Sequence, residues 1–446
     1  MDTIVALSTA PGRSAIGVVR ISGPDALPLA RTIVGDERLE LPHSQVVLRT
    51  LQPIGETESL DEALLTYFAA PSSYTGEDVV EISCHGSPVI LRQVIDRLLL
   101  FGARLADPGE FTLRALGNGK LNLSQAIAVR DLINARSDGA ARQAVRQLKG
   151  ELSFRMQKTK EKLIQAIVIL ESALEFVEDD LPAVEKKSLS ANLETVAADL
   201  SNLAASFNVG HLLRDGLRVT IAGPPNAGKS SLFNRLMNAD RAIVTDLPGT
   251  TRDSLSEPIS MAGFPVTLTD TAGLRDSSDQ IERLGVKRSH QAIADADLVL
   301  MVIDGTDSKG DENVAAASYG VRQILVKNKS DLPSFQSRVD LEDQAIEVSA
   351  RTGAGLDELR TAIIGSFGDQ EFTQSSLLIT DARQHDLLLR ATAEVRNSLA
   401  LLEEGLSEEL IVIGLNNALR FIGEITGETT TEDILTEIFS TFCIGK

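Results

Sequence analysis

The period of the apolar positions changes along this chain, and the changes mark out segments. Over residues 1–120, short β-like runs (TIVALS, IGVVRIS, EALLTYFAA, VVEISCHG) accompany one clear helix, PVILRQVIDRLLLFGA. That mixture predicts an α+β domain. Over 121–213 the period becomes helical. Leu163, Ile167, Leu170, Leu174 and Val177 recur at alternating spacings of four and three, and Leu193, Val196, Leu200, Leu203 and Phe207 nearly repeat the pattern. Charged residues fill the other faces, as in helices packed on one another. Over 214–370 the apolar runs LRVTIAG, DLVLMVIDG and QILVKNKSD alternate with helical stretches, the signature of a parallel sheet in an α/β domain. Over 371–446 helices return, with Leu387, Ala391 and Val395 on one face, then ELIVIGLNNALRFIG and EDILTEIFSTF. Helical material split in this way predicts one helical domain, 121–213 with 371–446, into which the α/β domain of 214–370 is inserted.

Composition narrows the function. A chain of 446 residues is expected to hold two to four domains. It carries 43 Lys and Arg against 63 Asp and Glu, a net charge of −20, which argues for a soluble protein and against general affinity for nucleic acid or anionic membrane. Residues 1–122 hold ten basic against fifteen acidic side chains, so RNA contact must come from a local basic patch or from a partner protein. The two cysteines, Cys84 and Cys443, are too few for a disulfide framework and suit a reducing compartment. No basic start followed by an apolar run opens the sequence, and no apolar stretch reaches ~18 residues, so neither a signal peptide nor a membrane span is expected, and the cytoplasm is. The segment TFCIGK places Cys443 where a prenylated cysteine would stand, but Lys446 lies outside the usual final residues and no polybasic run precedes it.

The chemistry concentrates in the α/β segment. GPPNAGKSS, residues 223–231, fits G-x-x-x-x-G-K-[ST] between a strand-like run and a helix-like one. There Gly223 and Gly228 let the backbone turn its N–H groups toward phosphate, Lys229 reaches the β- and γ-phosphates, and the Ser230 hydroxyl can hold Mg²⁺. GTTRD at 249–253, DTAG at 270–273, NKSD at 328–331 and SARTG at 349–353 follow in order. Asp270 can hold Mg²⁺ through water. Asp331 can accept both the ring N–H and the exocyclic amino group of guanine, a pair adenine does not offer, while Asn328 and Lys329 brace the loop and cover the base. The series reads as a Ras-like P-loop GTPase domain. Where many such enzymes carry a water-orienting Gln after DTAG, this chain has Leu274, which cannot hydrogen-bond. Arg275, Asp276, Asp279 and Glu282 are the nearby candidates for that task. No arginine finger is evident. Asn226 either braces the P-loop or helps hold a monovalent cation that supplies the missing charge.

PGRSAIGVVRISG, GEDVVEISCHG, PGEFTLRALGNGKLNLSQA and the final CIGK, together with the GTPase stations, closely resemble the MnmE (TrmE) family of tRNA modification GTPases. The likeness covers essentially the whole chain, and the N-terminal blocks and CIGK are its most specific parts. It implies an N-terminal folate-binding and dimerisation domain, a homodimer, and an FAD-dependent partner forming a heterotetramer or larger assembly. It also implies tRNA as substrate, with a carboxymethylaminomethyl or aminomethyl group added at C5 of the wobble uridine. The implied ligands are GTP, Mg²⁺, K⁺ and formyl-tetrahydrofolate or another tetrahydrofolate derivative.

Carried over by motif, Arg20, Glu81, Lys120 and Lys446 match the folate contacts. Asn226, Ala227, Gly228, Lys229, Ser230, Ser231, Thr245, Asp246, Leu247, Pro248, Gly249, Thr250, Thr251, Asp270, Thr271, Ala272, Gly273, Asn328, Lys329, Ser330, Asp331, Ser349, Ala350 and Arg351 match the nucleotide site. Ser230 and Thr251 match the Mg²⁺ ligands, and Asn226, Thr245, Leu247 and Thr250 the K⁺ ligands. Glu282 matches the water-orienting residue. Cys443 matches the cysteine of CIGK, either as a thiol nucleophile or as a residue that packs and positions its segment. Cys84 and His85, with no further ligand-type partners, read as structural. Two other classes fit the GTPase stations: a GTP-dependent assembly or signalling switch without covalent RNA chemistry, and a lipid-anchored GTPase, which Lys446 and the missing basic run disfavour.

Overall fold

The structure, a computed structural model, describes residues 2–175, 183–239, 256–270, 293–306, 321–335, 345–366, 377–428, 435, 438–442 and 445. Its described elements are β1 (Ile4–Leu7), β2 (Ile16–Ser22), α1 (Ala26–Val34), β3 (Val46–Leu51), β4 (Asp61–Phe68), β5 (Val79–His85), α2 (Pro88–Leu100), β6 (Arg104–Leu105), α3 (Glu110–Gly117), α4 (Leu123–Ile133), α5 (Asp138–Leu148), α6 (Glu151–Glu175), α7 (Ala183–Ala205) and α8 (Phe207–Asp215). They continue with β7 (Leu217–Ala222), α9 (Lys229–Ala239), β8 (Ser256–Met261), β9 (Phe264–Asp270), β10 (Leu298–Asp304), β11 (Arg322–Asn328), β12 (Ile346–Glu347), α10 (Leu356–Gly365), α11 (Ala382–Glu404) and α12 (Glu408–Thr426). The chain divides into two compact units. One comprises Met1–Ile133, Gln147–Lys158 and Leu419–Lys446; the other comprises Asn134–Arg146 and Thr159–Ala418.

The first unit is built on a six-stranded sheet in the order β3-β4-β5-β2-β1-β6. Alternation along its strands decides what faces what. Val19 and Ile21 of β2, with Val80, Ile82 and Cys84 of β5, join Leu29 and Ile33 of α1 and Leu91, Val94 and Leu98 of α2 in one buried core. The intervening residues, Arg20 among them on β2 and Glu81, Ser83 and His85 on β5, therefore turn to the opposite face. In the antiparallel β2–β5 register Arg20 lies directly opposite Glu81. Phe439 and Phe442 are buried with Ala126, which ties residues 438–442 to this unit.

The second unit holds the α/β layer and helices. Its sheet runs β12-β11-β10-β7-β9-β8, parallel throughout except for the antiparallel β8–β9 pair. Val299 to Ile303 of β10 are all buried, as a central parallel strand covered on both faces requires. Within this unit α7 packs along α11, with Arg396 donating to Ser201 Oγ (3.3 Å). Helices from before β7 and after α10 thus pack on one another. The stripe from Leu193 to Phe207 is not one helix, however. It breaks between Ala205 and Phe207, where Ser206 Oγ donates to Leu203 O (2.6 Å) and accepts from Ile379 N (3.0 Å). A side chain spent on the backbone of another segment competes with helix continuation.

Candidate functional site

Parallel pairing puts the ends of β7, β9, β10 and β11 along one edge of the second sheet, where α/β proteins place ligands. Residues 223–228 leave β7 there and lead into α9. Gly223 has φ +142° and a Cβ on it would stand 2.0 Å from Val302 O; Gly228 has φ +90° and a Cβ would stand 2.2 Å from Asn328 Nδ2. Neither position tolerates a side chain. Asn226, at φ +65°, adopts the left-handed conformation that asparagine enters more readily than most residues, and its side chain is exposed at the loop tip.

Around this cradle the polar groups are already arranged. Buried Lys229 donates from Nζ to Pro224 O (2.8 Å), so its ammonium lies against the loop. Ser230 Oγ donates to Asp270 Oδ2 (2.7 Å), a hydroxyl and a carboxylate converging as in a site for a small oxygen-seeking cation. Asn328 joins two loops: its Nδ2 donates to Ala227 O (2.9 Å) and its Oδ1 accepts from Ala350 N (3.0 Å). Asp331 Oδ1 accepts from Ser349 Oγ (2.7 Å), while the Arg351 guanidinium lies 3.7 Å from Oδ2. Ser330 N donates to Val348 O (3.1 Å) and fixes the loop to the strand beside it. Lys329, at φ +71°, pairs through Nζ with Asp304 Oδ2. Burial alone would raise the Asp304 carboxyl, but bonds from Lys329 and Thr306 outweigh it and hold it below the usual carboxylate range.

The first unit carries a second cluster. Arg20 donates from Nε (2.9 Å) and Nη2 (2.7 Å) to Glu81 Oε1 and from Nη1 to Gly445 O (3.3 Å). Its guanidinium carbon lies 5.9 Å from the Tyr74 ring centre and 5.8 Å from that of Phe111. Ser8 Oγ also donates to Gly445 O (3.3 Å). Gly445 has φ +92°, and a Cβ there would stand 2.4 Å from Leu7 O, so only glycine brings this backbone so close to β1. Lys120 does not join the pair; it donates from Nζ to Pro71 O (2.9 Å).

Two family models match, "GTP-binding protein TrmE N-terminus" over residues 3–120 and "MnmE helical domain" over 123–443. The chain is 44% identical to the tRNA modification GTPase MnmE of Koribacter versatilis over 100% of this chain and 99% of that one. The chain belongs to the MnmE family of tRNA modification GTPases. The MnmE of Symbiobacterium thermophilum is 42% identical over 100% of this chain and 99% of its own, and that of Aquifex aeolicus 41% over 100% of both.

Within this MnmE family member, the structure brings together Ser230 with Asp270, Asn328 with Ala227 and Ala350, Asp331 with Ser349 and Arg351, and Arg20 with Glu81. Thr245, Asp246, Leu247, Pro248, Gly249, Thr250, Thr251, Thr271, Ala272, Gly273, Glu282, Cys443 and Lys446 lie outside the described residues. Cys84 belongs to the core, where burial and then the Asp61 charge push its thiol up to about 11, leaving it an inert thiol at neutral pH. His85 is exposed, with Nδ1 held by Asp61 (2.8 Å). Sequence reasoning missed Asp304, Ser8 and Tyr74. For Asp304 a signal existed, since it closes the apolar run DLVLMVID as Asp270 closes its own strand. Among the described residues no helix is long and apolar enough to cross a membrane.

Proposed function

We propose that this chain is a GTP-hydrolysing enzyme of tRNA wobble-uridine modification. It acts as a cytoplasmic homodimer with an FAD-dependent partner to add a carboxymethylaminomethyl or aminomethyl group at C5. Four segments divide the work: 1–120 binds a tetrahydrofolate derivative and dimerises, 214–370 binds GTP, and 121–213 with 371–446 form the helical domain.

The nucleotide cradle fits its ligands. The backbone N–H groups of 226–230 and the helix end at α9 favour anionic oxygens. Lys229 exchanges Pro224 O for the β- and γ-phosphates, and Ser230 and Thr251 would hold Mg²⁺, with Asp270 reaching it through water. Asn226, Thr245, Leu247 and Thr250 hold K⁺. Both cations supply positive charge to the phosphates. Asp331 receives the two guanine donors, exchanging its bonds to Ser349 and Arg351. Glu282 orients the water that attacks the γ-phosphorus; the bond from that phosphorus to the β-bridging oxygen breaks, GDP leaves, and the water proton ends on inorganic phosphate.

Arg20, Glu81, Lys120 and Lys446 suit a folate: the cations for its glutamate carboxylates, Glu81 for pterin donors, and half-buried Tyr74 for ring contact, while Phe111 is buried beneath Arg20. The bound folate supplies a one-carbon unit. This chain's residues bind and orient it.

One observation carries this reading over a switch GTPase: the Gly445 carbonyl of CIGK rests on Arg20 of the Arg20–Glu81 pair. A nucleotide switch needs neither group. Mass spectrometry of wobble nucleosides from wild-type, deletion and Cys443→Ser strains tests it. Loss of the modified nucleoside on deletion is expected, and an unchanged nucleoside would favour the switch. Loss in Cys443→Ser with GTP hydrolysis intact would place the thiol in the uridine chemistry or its geometry; retention would leave Cys443 dispensable.

A further inference from the structure

The chain is acidic as a whole, yet residues 142–162 hold seven Lys and Arg against two Glu. Part of this cationic stretch forms a distinct surface within the first unit. Lys149 is exposed in the turn before α6, and Arg155 and Lys158 are exposed on the first turns of that helix. Between them stands Phe154, 64% exposed, the one aromatic among the large apolar side chains exposed on the described residues. Lys158 Nζ lies 4.5 Å from its ring centre. Phe154 and Lys158 are one helical turn apart and share a face, with Arg155 beside them.

A bare phenyl ring on a helix costs solubility and contributes nothing to the core. With Lys158 over it and Lys149 and Arg155 near it in sequence, it suits a polyanion that also offers flat apolar faces. Unpaired bases of RNA stack on such rings while Lys and Arg contact the neighbouring phosphates. An acidic protein surface would also take the cations and cover the ring, and the test below separates it from RNA. We propose that Lys149, Phe154, Arg155 and Lys158 form an RNA-docking surface that takes the phosphates and an unpaired base of the substrate tRNA. This rests on the tRNA-modifying reading above and adds where the RNA is held.

The test is fluorescence anisotropy of a labelled tRNA anticodon stem-loop on the full-length protein, with GDP and K⁺, at about 50 mM salt and above. Combined Lys149→Glu, Arg155→Glu and Lys158→Glu should weaken binding by ~100-fold or more and reduce the slope of log affinity against log salt by about 2, three contacts at ~0.7 each. Phe154→Ala should weaken binding about tenfold at an unchanged slope, since stacking releases no counterions. Lys186→Glu with Lys187→Glu on α7 is the charge control, expected within about threefold of wild type. GTP hydrolysis reports that each variant is folded.

Wild-type affinity in the triple variant, or no salt-dependent RNA binding by the unaltered protein, overturns the proposal. So does a triple variant that keeps RNA but loses the FAD-dependent partner, which would assign the surface to an acidic protein. Failure of the parent reading looks different: a deletion strain would keep its wobble nucleoside. If the chain restores that nucleoside and the triple variant still binds RNA normally, only the surface assignment falls.

Discussion

Asn328→Ala tests whether the nucleotide loop is held from behind. The Asn328 amide, 2% exposed, spans from Ala227 O to Ala350 N through bonds of 2.9 and 3.0 Å. Alanine removes both partners at once and leaves a buried carbonyl and a buried N–H unmatched. Each orphan costs about 1–3 kcal/mol, so the loss is ~2–6 kcal/mol before relaxation. Against ~5–15 kcal/mol for a typical domain this is a large share. With an m-value near 2 kcal/mol/M, it lowers the urea midpoint by about 1 M or more. Several domains unfold in this chain, so the transition to follow is the one that bound GDP shifts. A second effect follows from geometry. Ala227 O belongs to the peptide whose N–H is that of Gly228, so freeing the carbonyl lets a phosphate-facing N–H turn away. GDP affinity should fall about tenfold, or ~1.4 kcal/mol. Lys329→Ala is the comparison, because it breaks a half-exposed ion pair with Asp304 worth under about 1 kcal/mol. If Asn328→Ala unfolds within ~0.5 kcal/mol of wild type, the bridge does not support the loop. If stability falls while GDP affinity holds, the bridge is structural alone.

Three other outcomes are expected. Asp331→Asn should weaken GTP roughly a hundredfold by removing two charge-assisted bonds and should shift preference toward xanthosine triphosphate; nucleotide competition reads this, and an unchanged ratio refutes it. Gly445→Ala should lift its segment from Leu7 and Arg20, because its Cβ has no room at 2.4 Å; wobble modification should fall while GTP hydrolysis persists, and normal nucleosides would show the contact to be dispensable. The Asp2 carboxyl is lowered from 3.8 to about 2, chiefly by Arg104, with burial opposing and Arg114 assisting. Its folded value is the lower one, so its stabilisation is complete above 3.8 and is lost as pH falls through about 2. Asp2→Asn should therefore melt earlier than wild type at pH 5, with the gap closing toward pH 2; a gap that is constant with pH would contradict the linkage.

The first sheet and the long helices were legible because each buries a face of definite period, and the second sheet because its central strand is an unbroken apolar run. Residues 298–303 form one continuous apolar run and are a covered strand, and the stripes containing Leu193 and Leu387 lie on α7 and α11, which pack together. Residues with bonds to distant backbone were not legible. Ser206 looks like a helix residue until Ile379 N takes its hydroxyl, and β3 was passed over because exposed Val46 and Leu48 break the inside–outside alternation. The same limit applied at the sites. P-loop spacing is local, so Gly223 and Gly228 were readable. Lys120 was assigned by motif to the folate contacts, but its bond to Pro71 depends on a turn the sequence does not display.

The Arg20 cluster shows what such non-local contacts do. Its guanidinium uses Nε and Nη2 on Glu81 and Nη1 on Gly445 O. One positive charge is therefore matched by one carboxylate, a neutral carbonyl sits on Nη1, and these bonds use three of the five N–H donors. Those contacts differ in strength, because a bond to a charged acceptor is roughly twice as strong as one to a neutral acceptor. An incoming carboxylate thus displaces Gly445 O more cheaply than it displaces Glu81. Glu81 lies opposite Arg20 in the sheet register and stays in place, so the exchange falls on Nη1. The carbonyl at that donor comes from the segment that also carries Cys443, two residues before Gly445. If the proposed anionic ligand takes Nη1, Gly445 O still accepts from Ser8 Oγ (3.3 Å), so exchange at Arg20 alone loosens the hold on Gly445 without releasing it.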